Sequence, residues 1–289
     1  PWVNGSYVVG VELVFRPLRS ISLPLSAIPG LTPVHGTVLS ILLIFAFRDK
    51  LGMRPGLLTL NALALLVLQV RGDWLAVGVA LLVWGLLTRR TRVVVGFGLL
   101  GIAALLLVAT LGITIPGAEA RGGAVSLDEV AARSIAPFDP ALAAELSPAA
   151  ARYSGTAQWR TQWWDAIWTD NQVSQGHLLF GTGHGFDLAG LADHVDEGIR
   201  TPHSAFFFAL GYTGWIGVLV FWTFHAALAS VLIRSARRTG QPLGVMIWIG
   251  ALAAGHFGNY FETPFGGIPF FLLMGVPLAA DPELRLAAP

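Results

Sequence analysis

Long stretches without a single charge, separated by short arginine clusters, dominate this chain of 289 residues. The apolar runs lie near 32–47, 55–70, 74–88, 93–115, 203–233, 243–261 and 264–280. A bilayer's hydrocarbon core is about 30 Å thick and takes roughly 20 apolar helical residues to cross. Charged residues make up only 12% of the chain, where a soluble domain carries about 25%. Continuous runs predict helices; a membrane barrel would show short alternating segments. The first three runs are short for a full crossing, so their ends are expected to be half-buried or packed on other helices. The expected fold is an all-α membrane protein, a polytopic transmembrane helical bundle carrying a mainly helical outer insertion.

Arginine and lysine set the orientation. Arg48, Lys50 and Arg54 lie between the first two runs, Arg89, Arg90 and Arg92 between the third and fourth, and Arg234, Arg237 and Arg238 after the fifth. Alternating spans put all three clusters on one side, which the positive-inside bias makes cytoplasmic. The expected division is therefore residues 1–115, an N-terminal loop and about four spans; 116–202, an extracytoplasmic domain; 203–280, about three further spans; and 281–289, a cytoplasmic tail. The Arg71–Asp73 turn and the turn around Asn259–Phe265 fall on the outer side. Residues 1–30, with Arg16, Arg19, Pro17, Pro24 and Pro29, predict a loop with a partial helix. The sequence starts at Pro1 without a basic segment leading into an apolar one. No signal peptide is expected there, and upstream sequence is expected to be missing.

Composition narrows the chemistry. There is no cysteine, so neither disulfides nor thiol catalysis is available. The outer segment 116–202 holds eleven carboxylates and five arginines, a formal −6. Such a field does not recruit nucleic acid, and an anionic ligand has to be held by specific arginines. Within it, 141–151 and 156–169 predict helices.

Three places could carry chemistry. Arg71, in "LVLQVRGDWLAV", reads either as an interfacial arginine paired with Asp73 or as a cation held for a ligand. Arg160, in "TAQWRTQWWDAIW", stands one helical turn from Trp164, and Trp164 one turn from Trp168. That pattern suits a helix at the membrane surface with indoles in the headgroup layer. It equally suits a guanidinium with aromatic walls, able to grip phosphate and sugar. The segment "LLFGTGHGFDLAGLADHVDEGIRTPHS" holds a tight turn at Gly181, Gly183 and Gly185. It lacks the Gly-Lys-Ser/Thr ending of a nucleotide-binding loop. His177, His184, His194 and His203 lie nearby, but their spacings match no zinc motif, and no metal or other cofactor is expected. Pro202 predicts a helix start, which puts His203 at a helix N-terminus. The positive helix end and nearby arginines would keep its imidazole neutral. On the residues alone, His203 reads equally as a boundary residue or a base.

The ordered set of these patterns resembles the O-antigen ligase and O-antigen polymerase family of integral-membrane glycosyltransferases. "VRGDWLAV" at 70–77 looks like the family's Ser-Arg-Gly turn, with Val70 where serine is usual. "WRTQWWDAIW…LLFGTGHGF" at 159–186 is similar to its arginine-bearing outer helix and glycine turn. "PHSAFFFALGYTGWIGVLVFW" at 202–222 looks like its histidine segment, and "FETPFGGIPFFLLMGV" at 261–276 like its last spans. The resemblance covers roughly 55–280 and implies the C-terminal portion of a longer protein.

The resemblance implies transfer of a glycan from a polyprenyl-pyrophosphate donor, a lipid-linked oligosaccharide, to an acceptor hydroxyl on a saccharide or on lipid A–core. The reaction would run on the outer face of the bacterial inner membrane, among membrane lipids, without metal or nucleotide. It implies that Arg71 and Arg160 hold the pyrophosphate and that His203 is catalytic. Trp164, Gly183, Gly185 and Arg200 are secondary candidates on the donor side. Two alternatives stay open: a non-catalytic polysaccharide or lipid transporter or scaffold, and peptidoglycan polymerisation by the shape–elongation–division glycosyltransferases.

Overall fold

A computed structural model describes residues 33–51, 55–68, 71–111, 126–136, 138–147, 150–192, 201–258, 260–262 and 264–281. The expectations for 1–30, for the tail beyond 281, and for Arg200 and His194 lie outside these residues. Every regular element described is helical. The chain divides into two compact units, Pro1–Ser154 and Gly155–Pro289.

In the first unit the apolar runs become α1 (Pro33–Ala46), α3 (Pro55–Leu68), α4 (Arg71–Leu87) and α5 (Thr91–Thr110), with one turn, α2 (Arg48–Leu51), after α1. On α4 the buried side is Asp73, Ala76, Val77, Ala80, Leu81 and Trp84. That three-and-four spacing makes a single stripe. Phe45 of α1 meets Trp84 edge-on at 5.2 Å. By contrast, α5 exposes Val95, Leu99, Leu100, Ile102, Leu106 and Leu107. A helix that leaves this much apolar surface open in water is unfavourable; in hydrocarbon it is expected.

Two short helices follow, α6 (Leu127–Ile135) and α7 (Pro140–Leu146). Ser126 caps the first by accepting the Glu129 N–H, and Asp139 caps the second by accepting that of Leu142. Glu129 is buried, paired with Arg133 at 3.2 Å, and accepts from the Ser147 hydroxyl. The single helix expected over 141–151 is not observed. Ser147 is extended, φ −148° and ψ 130°, the conformation favoured by a residue before proline.

The second unit holds most of α8 (Ala150–Asn171), then α9 (Gln175–Phe180), a 3₁₀ turn (Leu188–Leu191), α10 (Ala205–Thr239), α11 (Leu243–His256) and α12 (Pro264–Ala280). The helix expected over 156–169 is thus longer at both ends, and α6 and α9 were not foreseen. The last three helices pack on one another. Among the described residues α10 is the one helix long and apolar enough to cross a membrane by length and composition.

α10 is broken at Gly214, where φ is 63° and ψ −163°. Carbonyls on the approach to the break accept from donors outside the helix. Asn171 Nδ2 donates to Leu210 O at 3.3 Å, Thr182 N to Gly211 O at 2.8 Å, and Gly183 N to Tyr212 O at 3.0 Å. The glycine-rich turn is therefore a patch on a broken helix. Two glycines make the approach possible. A Cβ on Gly214 would fall 2.4 Å from the Leu179 carbonyl carbon, and one on Gly181 (φ 68°) would fall 2.5 Å from the Thr213 nitrogen.

Candidate active site

The second unit gathers Arg160, Trp164 and His203 around one fixed point of α8. Trp163 is fully buried and donates its indole N–H to Leu188 O at 2.8 Å. That anchor sets the rotation of α8, so Trp164 beside it and Trp159 one turn before it face the segment before α10. Trp164 donates to Pro202 O at 2.8 Å and stacks on Phe207, ring centres 5.2 Å apart and 9° from parallel. Trp159 meets the His203 ring edge-on at 5.4 Å, and the Arg160 guanidinium lies 5.3 Å above the Trp159 ring. Arg160 also donates to Phe257 O at 3.2 Å.

His203 does not sit inside the helix, as the proline had suggested. Pro202 is buried, Ser204 is the N-cap, and α10 starts at Ala205. His203 precedes the cap with φ 53°, a left-handed conformation that costs a non-glycine residue about 1–3 kcal/mol. Something has to hold it there. Its backbone N–H donates to Glu262 Oε2 at 3.1 Å. Thr201 and the Ser204 backbone lie close enough to the same carboxyl to lower its pKa. Glu262, from the turn between α11 and α12, thus holds the backbone just ahead of the helix start.

The ring is oriented as well. His203 Nδ1 lies 2.9 Å from Thr201 O. A carbonyl can only accept, so in the neutral imidazole the proton belongs on Nδ1 and the lone pair on Nε2. Burial first, then the Arg160 charge, pushes the His203 pKa down to about 4, against a smaller opposing effect of the Thr201 carbonyl. Burial pushes Glu262 up to about 7, against its hydrogen bonds and Arg160. Glu262 Oε1 is buried without a hydrogen-bond partner. At neutral pH the site holds a neutral, oriented imidazole, a guanidinium over an indole, and a carboxyl poised between its two forms.

The other expected residues are placed as follows. Arg71 belongs to the first unit, opens α4, and donates to Arg133 O at 3.0 Å. It is half-buried, and burial draws its pKa below the usual guanidinium range. The N–H of Gly183 is engaged with Tyr212 O, while Gly185 is exposed. His177 pairs with Asp170 at 3.4 Å, and His184 stacks on Tyr212 at 4.9 Å. Among the described residues no three His, Asp or Glu side chains group as a metal site. Glu262 was not singled out as a site residue from the sequence. Its signal was there: a lone carboxylate in the apolar turn "FGNYFETPFGG", on the expected outer side.

No curated protein and no solved structure matches the chain. The family model of the O-antigen ligases matches residues 56–222, more than half of the sequence, and that stretch includes Arg71, Arg160 and His203 while leaving Glu262 beyond its end. The chain therefore belongs to the O-antigen ligase family.

Proposed function

We propose that this chain is the C-terminal part of a multi-span bacterial inner-membrane glycosyltransferase. It would move a glycan from a polyprenyl-pyrophosphate donor to a saccharide hydroxyl on the outer face, in cell-surface polysaccharide synthesis. The observation that carries this reading is His203: a strained, half-buried, neutral imidazole with Nδ1 tied to a carbonyl, beside Arg160. Such a group is built to accept a proton.

In the proposed step, His203 Nε2 takes the proton of the acceptor hydroxyl. The oxygen forms its bond to the anomeric carbon as the bond from that carbon to the pyrophosphate oxygen breaks. The leaving group departs with the electron pair, and direct displacement inverts the anomeric centre. Negative charge builds on the leaving oxygens, where Arg160 stabilises it; a positioned donor of this kind is worth about 2.7–4 kcal/mol. Arg71 is proposed, from the family pattern, as a second guanidinium for the pyrophosphate. Arg160 depresses the His203 pKa, so an anion bound to Arg160 would offset that effect and make His203 a stronger base once the donor is in place. Glu262 is a positioning residue here, holding the backbone of His203. The reading assigns charge stabilisation to guanidiniums and needs neither metal nor nucleotide.

The transporter reading draws on one observation, the break at Gly214, since discontinuous helices line transport sites. The two readings part on a single experiment. In the complete protein, His203→Ala is expected to abolish glycan transfer with membrane expression intact. Full activity in that variant would sink the glycosyltransferase assignment, and glycan flux into liposomes without transfer would install the transporter.

A further inference from the structure

We propose that the end of α9 is a membrane-surface anchor. Leu178, Leu179 and Phe180, together with Trp168 and Trp215, would lie in the outer headgroup layer, level with the Gly214 break. This rests on the membrane reading above but not on the catalytic one.

Exposure along α10 changes at Gly214. From Ala205 to Gly214 the helix is buried or half-buried by protein. Beyond it, Trp215, Ile216, Leu219 and Val220 stand exposed, the last two at 67% and 62%. Length agrees. α10 has 35 residues, roughly 52 Å at 1.5 Å each, far more than a bilayer needs. Its inner end is marked by Arg234, Arg237 and Arg238. Counting back from Arg234, about 30 Å of helix ends at Gly214. The protein-covered first part of α10 then stands outside the hydrocarbon.

α9 sits at that level because the Leu179 backbone touches Gly214. Its apolar end points away from protein: Leu179 and Phe180 are 44% and 63% exposed. Trp168 meets Trp215 edge-on at 6.1 Å, and both indoles are about two-fifths exposed. Half-exposed indoles are at home between headgroups and acyl chains. Trp215 stands one turn before Leu219 on the exposed face of α10, so the same lipid that covers Leu219 would reach the two indoles. Ala205, where α10 begins two residues after His203, stands about 14 Å beyond this level along the helix.

This chain has no cysteine, so once any cysteine in the rest of the protein is replaced by serine, a single introduced cysteine takes a spin label uniquely. Phe180→Cys, Leu178→Cys, Leu219→Cys and Gln172→Cys would be made in the complete protein in nanodiscs of phosphatidylethanolamine and phosphatidylglycerol. Relaxation by oxygen and by a water-soluble nickel chelate reports depth. Labels at 219 should favour oxygen strongly and labels at 172 nickel, with 180 and 178 lying shallowly on the lipid side. Labels at 180 and 178 as nickel-accessible as 172 would overturn the anchor. Protection of both from both reagents would also overturn it, by showing that protein covers the patch. A nickel-accessible label at 219 would overturn the membrane reading beneath it. Each outcome is independent of whether the protein transfers glycan.

Discussion

The His203 backbone N–H donates to Glu262 Oε2 across 59 residues of sequence, and this bond holds the histidine at φ 53°. Removing the carboxyl should release it. Glu262→Ala is expected to leave the His203 N–H without this partner, at about 1–3 kcal/mol. Glycan transfer should fall with it. Glu262→Gln keeps an oxygen acceptor and should retain far more activity than the alanine variant. A transfer assay on purified membranes, with a thermal unfolding scan of each variant, checks both. Equal activity in the glutamine and alanine variants would argue against a positioning role.

Stability should depend on pH in two opposing ways. His203 has an ordinary pKa of 6.5 and about 4 in the fold. The unfolded chain binds its proton first, so this contribution is present above 6.5 and lost as pH falls toward 4. Glu262 goes from 4.5 to about 7. Its contribution is present below 4.5 and lost as pH rises through 7. Between 4.5 and 6.5 the two slopes oppose each other. Glu262→Gln removes the second, and the unfolding midpoint should then rise with pH across that interval more steeply than in the unaltered protein.

Arg160→Ala should lower the transfer rate by about 10²–10³, the usual loss of a donor aimed at developing negative charge. It should also raise the His203 pKa, because the Arg160 charge is one cause of its depression. The acid limb of the rate profile would move to higher pH. Arg160→Lys should recover little of the rate, since an ammonium lacks the planar fork that lies over Trp159.

Gly181→Ala and Gly214→Ala should both prevent normal folding. Each Cβ would fall within 2.6 Å of three backbone atoms, at a φ that L residues rarely adopt. Gly185→Ala meets nothing within 4 Å and should leave the unfolding midpoint nearly unchanged. Comparing yield and midpoint of the three variants in detergent tests whether the glycine turn serves the broken helix.

Much of the helical framework was legible because it is local. The uncharged runs at 55–70, 93–115 and 264–280 became the helices Pro55–Leu68, Thr91–Thr110 and Pro264–Ala280. Arg160 and Trp164 share a turn by spacing alone. The Ser147 break is also readable, in retrospect, from Pro148. The site was legible only in part. His203 was singled out, but its place before the cap, its left-handed backbone and its carboxylate partner were not.

The sequence by itself determined where most helices form and which residue types could bind phosphate or move a proton. Those properties depend on composition and on spacing within a few turns. Tertiary structure alone decided that Glu262 reaches His203 and that Gly181 meets Gly214. The neutral imidazole was expected from nearby arginines; the fold decided that burial, ahead of Arg160, is its leading cause. Each depends on groups tens of residues apart brought within a few ångströms, where desolvation and backbone contact act, and no local pattern records them.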